Sequence, residues 1–364
     1  MESTQSSEQN SQSLAAGRSA NITFSGKAGE FFGIWIVNLL LSIITLGIYS
    51  AWATVRTRQY FYGHTKIEQQ SFHYLASPIQ ILKGRIIAVI VFALFFIASS
   101  LSPVAAIILA VLFTLVSPLL IVLSLKFNMR MSRYRNVRFA FHGNYLGAFT
   151  YFILLPAFSV LSLYLALPWA LKKIDQYICS NISFGGQKMQ VNTEPGPYYV
   201  AALIAMAAIF GLIFALVIIA AITAGIIGMS DIGSSGNAEV WALLITGSIM
   251  VIYFLGFALS GAIYHVYVRN YLFERTTLPG IASFQSKMKV MPYLMLIITN
   301  LLAIIFSLGL AYPWAKVRKA AYLASVTSLT IYPQADYLVD EQQSESQAFA
   351  EEAVGLFDID ISIA

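Results

Sequence analysis

Apolar positions in this chain come in long unbroken runs. No Asp, Glu, Lys or Arg occurs in 31–55, 86–125, 139–171, 195–230, 240–268 or 290–315. A helix needs about 20 apolar residues to cross the hydrocarbon of a bilayer. Backbone groups in lipid must also be bonded within their own segment, which selects helices. The run 86–125 is 40 residues long and carries Ser99, Ser100, Ser102 and Pro103 at its middle, so it divides into two spans. The pattern therefore predicts about seven apolar helices, near 31–52, 84–101, 103–125, 145–167, 198–224, 241–264 and 291–312. The expected fold is an all-α polytopic membrane bundle. A β-barrel would show short alternating segments in place of these runs.

Between the runs the pattern changes. Asn21 to Lys27 alternates as a strand would, Val137 to Gly143 repeats that alternation, and Ile281 to Lys287 gives a third instance. Phe72-His73-Tyr74 and Ile182-Ser183-Phe184 are further strand-like pieces. A lone strand is unstable, so small paired β elements on the cytoplasmic side are expected.

A phrase recurs at fixed offsets. Leu46-Gly47, Trp52-Ala53, Val55-Arg56 and Tyr60 return as Leu308-Gly309, Trp314-Ala315, Val317-Arg318 and Tyr322. A weaker copy has Leu163, Pro168-Trp169-Ala170, Lys173 and Tyr177. The unit is a strand, an apolar helix, a Trp-Ala segment and a polar connector, followed in two copies by an apolar hairpin. The organisation expected is a Ser/Gln-rich disordered tail (1–20), membrane repeats at 21–135 and 136–280, a partial repeat at 281–332 and an acidic tail at 333–364. Glycine suits a helix end, and proline suits the first turn of the next helix. Each apolar helix should thus stop near Gly47 or Gly309, with a basic helix starting near the Trp.

Trp and Tyr favour the headgroup level and Lys and Arg snorkel to it. Trp52, Trp169, Trp314, Tyr60, Tyr177 and Tyr322 are therefore read as interfacial anchors. Arg56, Arg58, Lys173, Arg318 and Lys319 are the candidate contacts to an anion or headgroup. Asn38 and Asn300 occupy matching positions inside apolar runs and are candidate intramembrane polar contacts; such side chains usually bond a neighbouring helix.

Composition sharpens this. Charged residues make up 11% of the chain, against roughly 25% in soluble domains. The net charge of +5 is uneven, because eight of the 17 acidic residues lie between Asp336 and Asp360, with no Lys or Arg among them. Basic connectors beside apolar spans point to a bilayer partner with anionic headgroups, and nucleic acid is not an expected partner. The pattern leaves room for a homo-oligomer and for a cytoplasmic partner docked on the acidic tail.

Orientation has two solutions. If all seven segments cross, the 22 Lys and Arg divide 13 to 9 and the middle copy is inverted. If the Trp-Ala segments dip and return, all 22 lie on one side, as the positive-inside rule favours. Helix length resists the second, because nine residues separate Gly47 from Arg56, about 13 Å of helix.

Chemistry is sparse. Cys179 is the only cysteine, so no intramolecular disulfide can form. His64, His73, His142 and His265 lack metal-site spacing. No phosphate loop, G-x-S-x-G or H-E-x-x-H motif occurs, so neither a catalytic residue nor a cofactor or metal is assigned. Ala201 to Gly228 is rich in small residues, which let helices approach closely.

The stretch Gly29 to Leu41, with Leu46 to Ala53 and Val55 to Arg58, closely resembles the YjgN-like bacterial inner-membrane proteins. Ala311 to Arg318 is similar to a later copy of the same phrase. Copy two departs from it, with Tyr164 in place of Gly and Asp175 in place of Arg58. The resemblance implies a multi-pass protein of the bacterial plasma membrane and brings no catalytic or substrate residue with it. The function expected is transport or permeation of a small, anionic solute. The alternative is a non-transporting protein that binds anionic lipid or docks a cytoplasmic partner.

Overall fold

The structure, a computed structural model, describes residues 17–227 and 238–337. The greater part of the N-terminal tail, the hairpin turn expected near Asp231 and the bulk of the acidic tail lie outside the described residues.

The chain is built from five consecutive strand–helix–helix–strand units. The first is β1 (Arg18–Phe24), α1 (Ala28–Ile44), α2 (Ser50–His64) and β2 (Thr65–Ile67). The second is β3 (Gln70–Tyr74), α3 (Pro78–Leu101), α4 (Pro103–Arg130) and β4 (Ser132–Tyr134). The third is β5 (Val137–Phe141), α5 (Tyr145–Leu161, with a π turn at Thr150–Leu154), α6 (Leu167–Ser180) and β6 (Ile182–Phe184). The fourth opens with β7 (Gln187–Lys188) and β8 (Gln190–Val191) and continues with α7 (Pro195–Ile227), α8 (Ala238–Glu274) and β9 (Thr276–Leu278). The fifth is β10 (Ala282–Ser286), α9 (Val290–Phe306), α10 (Tyr312–Ser325) and β11 (Thr327–Ile331).

All eleven strands belong to one antiparallel sheet in the order β7-β6-β5-β4-β3-β2-β1-β11-β10-β9-β8. The first strand pairs with the last, Arg18 opposite Ile331. The two ends of the order, β7 and β8, are separated in sequence only by Met189, so the sheet is almost a closed barrel. This overturns the all-α expectation of a bundle with about seven crossing helices. The strands are two to seven residues long, too short for their alternation to stand out beside the long apolar runs. Their pairing is enforced by tight turns with two consecutive left-handed residues: Glu68-Gln69 (φ 48° and 66°), Arg135-Asn136 (45° and 69°) and Gly185-Gly186 (55° and 85°). Such primed turns match the twist of the flanking strands.

The barrel interior is filled. Ala20, Ile67, Val137, Phe184, Leu278 and Leu329 form one buried cluster, with Phe72, Tyr134 and Phe139 packed against it. The sheet is a plugged cap.

Three described helices are long and apolar enough to cross a membrane: Pro78–Ser100, Pro103–Arg130 and Pro195–Ile218. The predicted spans 31–52, 145–167 and 291–312 are instead helices of 17 residues ended by a turn, about 26 Å long at 1.5 Å per residue. That turn has the same backbone in all three places. Leu46 and Gly47 (φ 50° and 91°), Leu163 and Tyr164 (53° and 65°), and Leu308 and Gly309 (52° and 93°) are left-handed. In each, the second residue's N–H reaches a carbonyl five residues back: Gly47 to Ser42 at 2.7 Å, Tyr164 to Ser159 at 2.7 Å, Gly309 to Ile304 at 2.8 Å. This is a Schellman-type helix stop. At two of these tips Leu46 and Leu308 are each 95% exposed; at the third, Tyr199 donates to the Leu165 carbonyl at 3.1 Å.

The long pairs turn differently. Ser102 caps α4 through Ala105 N, with Pro103 in the first turn. Pro118 inside α4 removes a backbone donor, and the Ser117 hydroxyl bonds the carbonyl of Thr114 that this frees. Helix α7 packs on α8 through the small-residue stretch: Ala201 and Ala205 are buried, and a Cβ on Gly256 would stand 3.2 Å from Leu212.

Contacts between units run in chain order: α2 on α3, α4 on α5, α6 on α7, α8 on α9, and α10 back on α1. The helix pairs thus form a closed ring hanging from one face of the sheet.

Candidate functional site

Because both ends of every helix pair feed one sheet, the polar helix ends lie together on the sheet side. There the basic residues of the return helices make a collar. Arg56 and Lys319 are exposed, as are Lys27, Lys83, Lys126, Arg130, Lys287 and Lys289 around them.

The named candidates divide into engaged and free. Arg58 is engaged: its guanidinium donates to Tyr74 Oη at 2.7 Å and to Asn128 Oδ1, and lies over the Tyr74 ring. It ties α2 to β3 and α4. Arg318 donates to Thr299 Oγ1 at 2.5 Å and to Asn300 Oδ1 at 3.1 Å, and lies 5.0 Å from the Trp314 ring centre. Arg56 touches only the Tyr49 hydroxyl, at 3.2 Å, and makes no ion pair among the described residues. Lys173 is half-buried beside Lys172, whose buried ammonium bonds Gln176 Oε1 at 2.8 Å.

The three basic segments do not all meet. Units one and five are neighbours: Lys316 of α10 lies 5.6 Å from the Phe31 ring and 5.0 Å from the Phe61 ring. Lys173 belongs to unit three, which units two and four separate from that junction.

The two asparagines differ. Asn300 donates to the Ala315 carbonyl at 3.2 Å and accepts from Arg318. Asn38 is 4% exposed, and neither of its amide atoms has a hydrogen-bond partner among the described residues. The tyrosines form a common clamp. Tyr60, Tyr177 and Tyr322 each donate to the carbonyl of the residue preceding the short apolar helix: Lys27 at 2.9 Å, Asn144 at 3.0 Å and Lys289 at 3.4 Å. A Cβ on Gly143 would stand 2.6 Å from the Tyr177 hydroxyl, so glycine is needed there. The tryptophans Trp52 and Trp169 are half-buried, and Trp314 is 42% exposed.

Asp175, at the Arg58 position of the third unit, accepts from the fully buried Tyr198 at 2.9 Å. The charge has changed sign, yet both residues tie a return helix to the long pair that follows. The fifth unit, with no long pair after it among the described residues, has Ala320 there.

Sequence reasoning missed two features. The first is a charge cluster on the sheet. Arg18 pairs with Glu68 at 2.5 Å and Asp336 at 2.6 Å, and Arg135 pairs with the same two acids at 2.9 and 3.0 Å. Hydrogen bonds from Arg18, then its charge and Arg135, hold the Asp336 carboxyl below the usual range. The second is a cleft of about 540 Å³ between α1 and α2, lined by Glu30, Gly33, Ile34, Val37, Arg56, Gln59 and Tyr60. Composition signals neither, since both need residues far apart in the chain. Among the described residues no group of His, Cys, Asp and Glu could hold a metal ion.

Residues 19–356 match the family described as "Bacterial protein of unknown function (DUF898)". The chain is similar to "Inner membrane protein YjgN" of Salmonella typhimurium (strain LT2), with 26% identity over 351 residues, covering 85% of this chain and 88% of that protein. It is also similar to the Escherichia coli (strain K12) protein of the same name, with 33% identity over 135 residues, covering 35% of this chain and 33% of that protein. No solved structure matches.

Proposed function

The chain belongs to the DUF898 family of bacterial proteins and is a protein of the inner membrane, and from that premise we propose that it is a multi-pass protein that binds anionic lipid headgroups at the cytoplasmic leaflet. One observation carries the reading: every helix pair starts and ends in the same sheet. No Lys or Arg lies near the tip of either long pair, and the positive-inside rule then makes the sheet side cytoplasmic; Arg56 and Arg85 reach toward the tip of the first short pair, through Tyr49 and through Ser50 and Thr54. The three short pairs do not reach across; they carry apolar tips into the bilayer and set Arg56, Lys173 and Lys319 at its surface. An array of this kind attracts anionic lipid at about 1 kcal/mol per basic residue.

The test is native mass spectrometry of the purified protein titrated with phosphatidylglycerol. Binding should weaken as salt rises, because headgroup attraction at a surface is screened. Salt-insensitive binding, or none, would sink the proposal.

A second reading, permeation of a small anionic solute, draws on the closed ring of helix pairs, which surrounds an axis. The packed interior of the sheet stands across that axis, so the solute would have to leave sideways past the collar. Under this reading Arg56→Gln with Arg318→Gln abolishes flux in proteoliposomes, and unchanged flux rejects it.

A further inference from the structure

We propose that the junction of α8, α9 and α10 holds one phosphate oxyanion, bound by Arg269, His265 and Lys319 beside Tyr293. The inference deepens the headgroup reading by giving the collar one built site, and it rests on that reading only for a lipid as the source of the phosphate.

Tyr293 of α9 links the other two helices. It is 6% exposed. The His265 ring of α8 stacks on its ring at 5.1 Å, and the Tyr322 ring of α10 stacks on it at 6.1 Å. Arg269 follows His265 by four residues, so the two side chains share a face of α8. Lys319 precedes Tyr322 by three residues and shares its face of α10. Arg269 and Lys319 both lie close enough for their charges to act on the His265 imidazole, and the Arg269 charge also acts on Tyr293. Arg269 donates to Thr327 Oγ1 at 2.9 Å, at the first residue of β11. The cluster therefore sits at the sheet-side end of α8, at the level of the collar.

No acid answers these three groups. Among the described residues no carboxylate stands within 4 Å of Arg269, His265 or Lys319. Arg269 is half-buried, and its Nε is buried without a hydrogen-bond partner. Its polar contact is the neutral Thr327 hydroxyl, and its guanidinium lies 4.2 Å from the Phe273 ring centre. A cation withdrawn from water is costly unless an anion pairs with it. The Lys319 ammonium, the His265 ring nitrogens and the Tyr293 hydroxyl make no hydrogen bond among the described residues. These unused groups, with the Arg269 fork, suit the oxygens of a phosphate.

The sister junction shows that packing does not require this chemistry. There α4 is followed by α5 and α6. Ser132 and Thr276, the first residues of β4 and β9, align at an offset of 144, and Trp169 and Trp314 at 145. At those offsets His265 becomes Ile121, Arg269 becomes Leu125 and Tyr293 becomes Ala148. Lys319 becomes Ile174 and Thr327 becomes Ile182. Leu125, Ala148 and Ile182 pack into one apolar cluster. The same scaffold is thus closed by apolar side chains at one junction and carries three acid-free basic groups at the other.

The experiment titrates the full chain in detergent with two probes. Phosphatidylglycerol is read by native mass spectrometry, and labelled inorganic phosphate by equilibrium dialysis. One saturable site should appear with at least one probe. Arg269→Leu, which copies the sister junction, should weaken it about tenfold, the loss of one charge-assisted contact. His265→Gln with Lys319→Gln alters exposed side chains and should weaken it by a similar factor, which keeps the test if Arg269→Leu fails to fold. Lys188→Gln removes an equal charge from β7 and should leave the site unchanged. A site that takes the lipid and is not displaced by phosphate has a headgroup as its source; one that takes phosphate without lipid holds the free anion. No saturable site with either probe overturns the inference. So does wild-type affinity in folded Arg269→Leu or in the double variant, or equal weakening by Lys188→Gln. If that happens while phosphatidylglycerol binding still falls with salt, only this site is wrong. If phosphatidylglycerol binding ignores salt while phosphate binding depends on Arg269, the site stands and the wider headgroup reading falls.

Discussion

Arg18 Nη1 donates to Asp336 Oδ2 at 2.6 Å, joining the first described strand to the segment just beyond the last. Both residues also meet Arg135 and Glu68 in one network, the acids accepting from both arginines. The pair sits where β1 closes on β11, so a contact 318 residues apart in sequence helps to close the barrel.

Replacing Asp336 by Asn should lower stability by about 1 kcal/mol or less, the usual scale for exposed ion pairs. The pH dependence has a definite sign. The folded carboxyl titrates below its ordinary value, so its contribution is present above the unfolded value of about 3.9 and fades as pH falls through the folded one. Thermal unfolding of wild type and Asp336→Asn should differ by a constant amount near neutrality and converge below about pH 4. A gap that widens in acid would contradict the network.

One-sided topology can be read by thiol labelling in a Cys179→Ser background. Cysteines at Gln69, Gln187 and Lys287, on three connectors, should all react from the cytoplasmic side. Ser100, at the tip of the α3–α4 pair, should react from the other. Labelling of the Gln187 position from the periplasm would restore an inverted middle unit.

The left-handed turns make opposite predictions at equivalent positions. Gly47→Val and Gly309→Val should each destabilise by about 1–2 kcal/mol, because a side chain is forced into the left-handed region. Tyr164 already bears that conformation at φ 65°. Tyr164→Gly should therefore be neutral or stabilising by up to about 1 kcal/mol. A large loss on that change would show that the Tyr164 ring holds the turn.

Asp175→Ala should cost about 1–3 kcal/mol, because it leaves the buried Tyr198 hydroxyl without its acceptor. Adding Tyr198→Phe should recover much of that loss, since the stranded group is then gone. A double variant as unstable as the single one would place the cost in packing. Denaturation curves of the three variants decide it.

The corrections share a physical origin. The repeated phrase was legible because Trp, Gly and basic residues recur at fixed offsets, and the helix stop it marks is present in all three places. The departure at Tyr164 leaves the turn's backbone unchanged. What the phrase could not reveal was that the chain returns. Nine residues from Gly47 to Arg56 look too few to cross back. The structure needs no crossing, because the outgoing helix is itself short. Of the candidate site, Arg56 and Lys319 are exposed, Arg56 held by the Tyr49 hydroxyl, whereas Arg58 and Arg318 are occupied by neighbours that no local pattern announces. Glu30 lines a cleft only because α2 returns beside α1.

The sequence by itself determined the medium and the recurrence: long charge-free runs point to lipid-facing helices, and the offsets 117 and 262 between the tryptophans mark recurring units. Tertiary structure decided that eleven short strands join into one cap, that the helix pairs all hang from the same face, and that Arg18 reaches Asp336. Apolar burial is a local property that can be counted along a chain. Strand pairing and ion pairing across hundreds of residues depend on which ends meet, and that is fixed only when the whole ring closes.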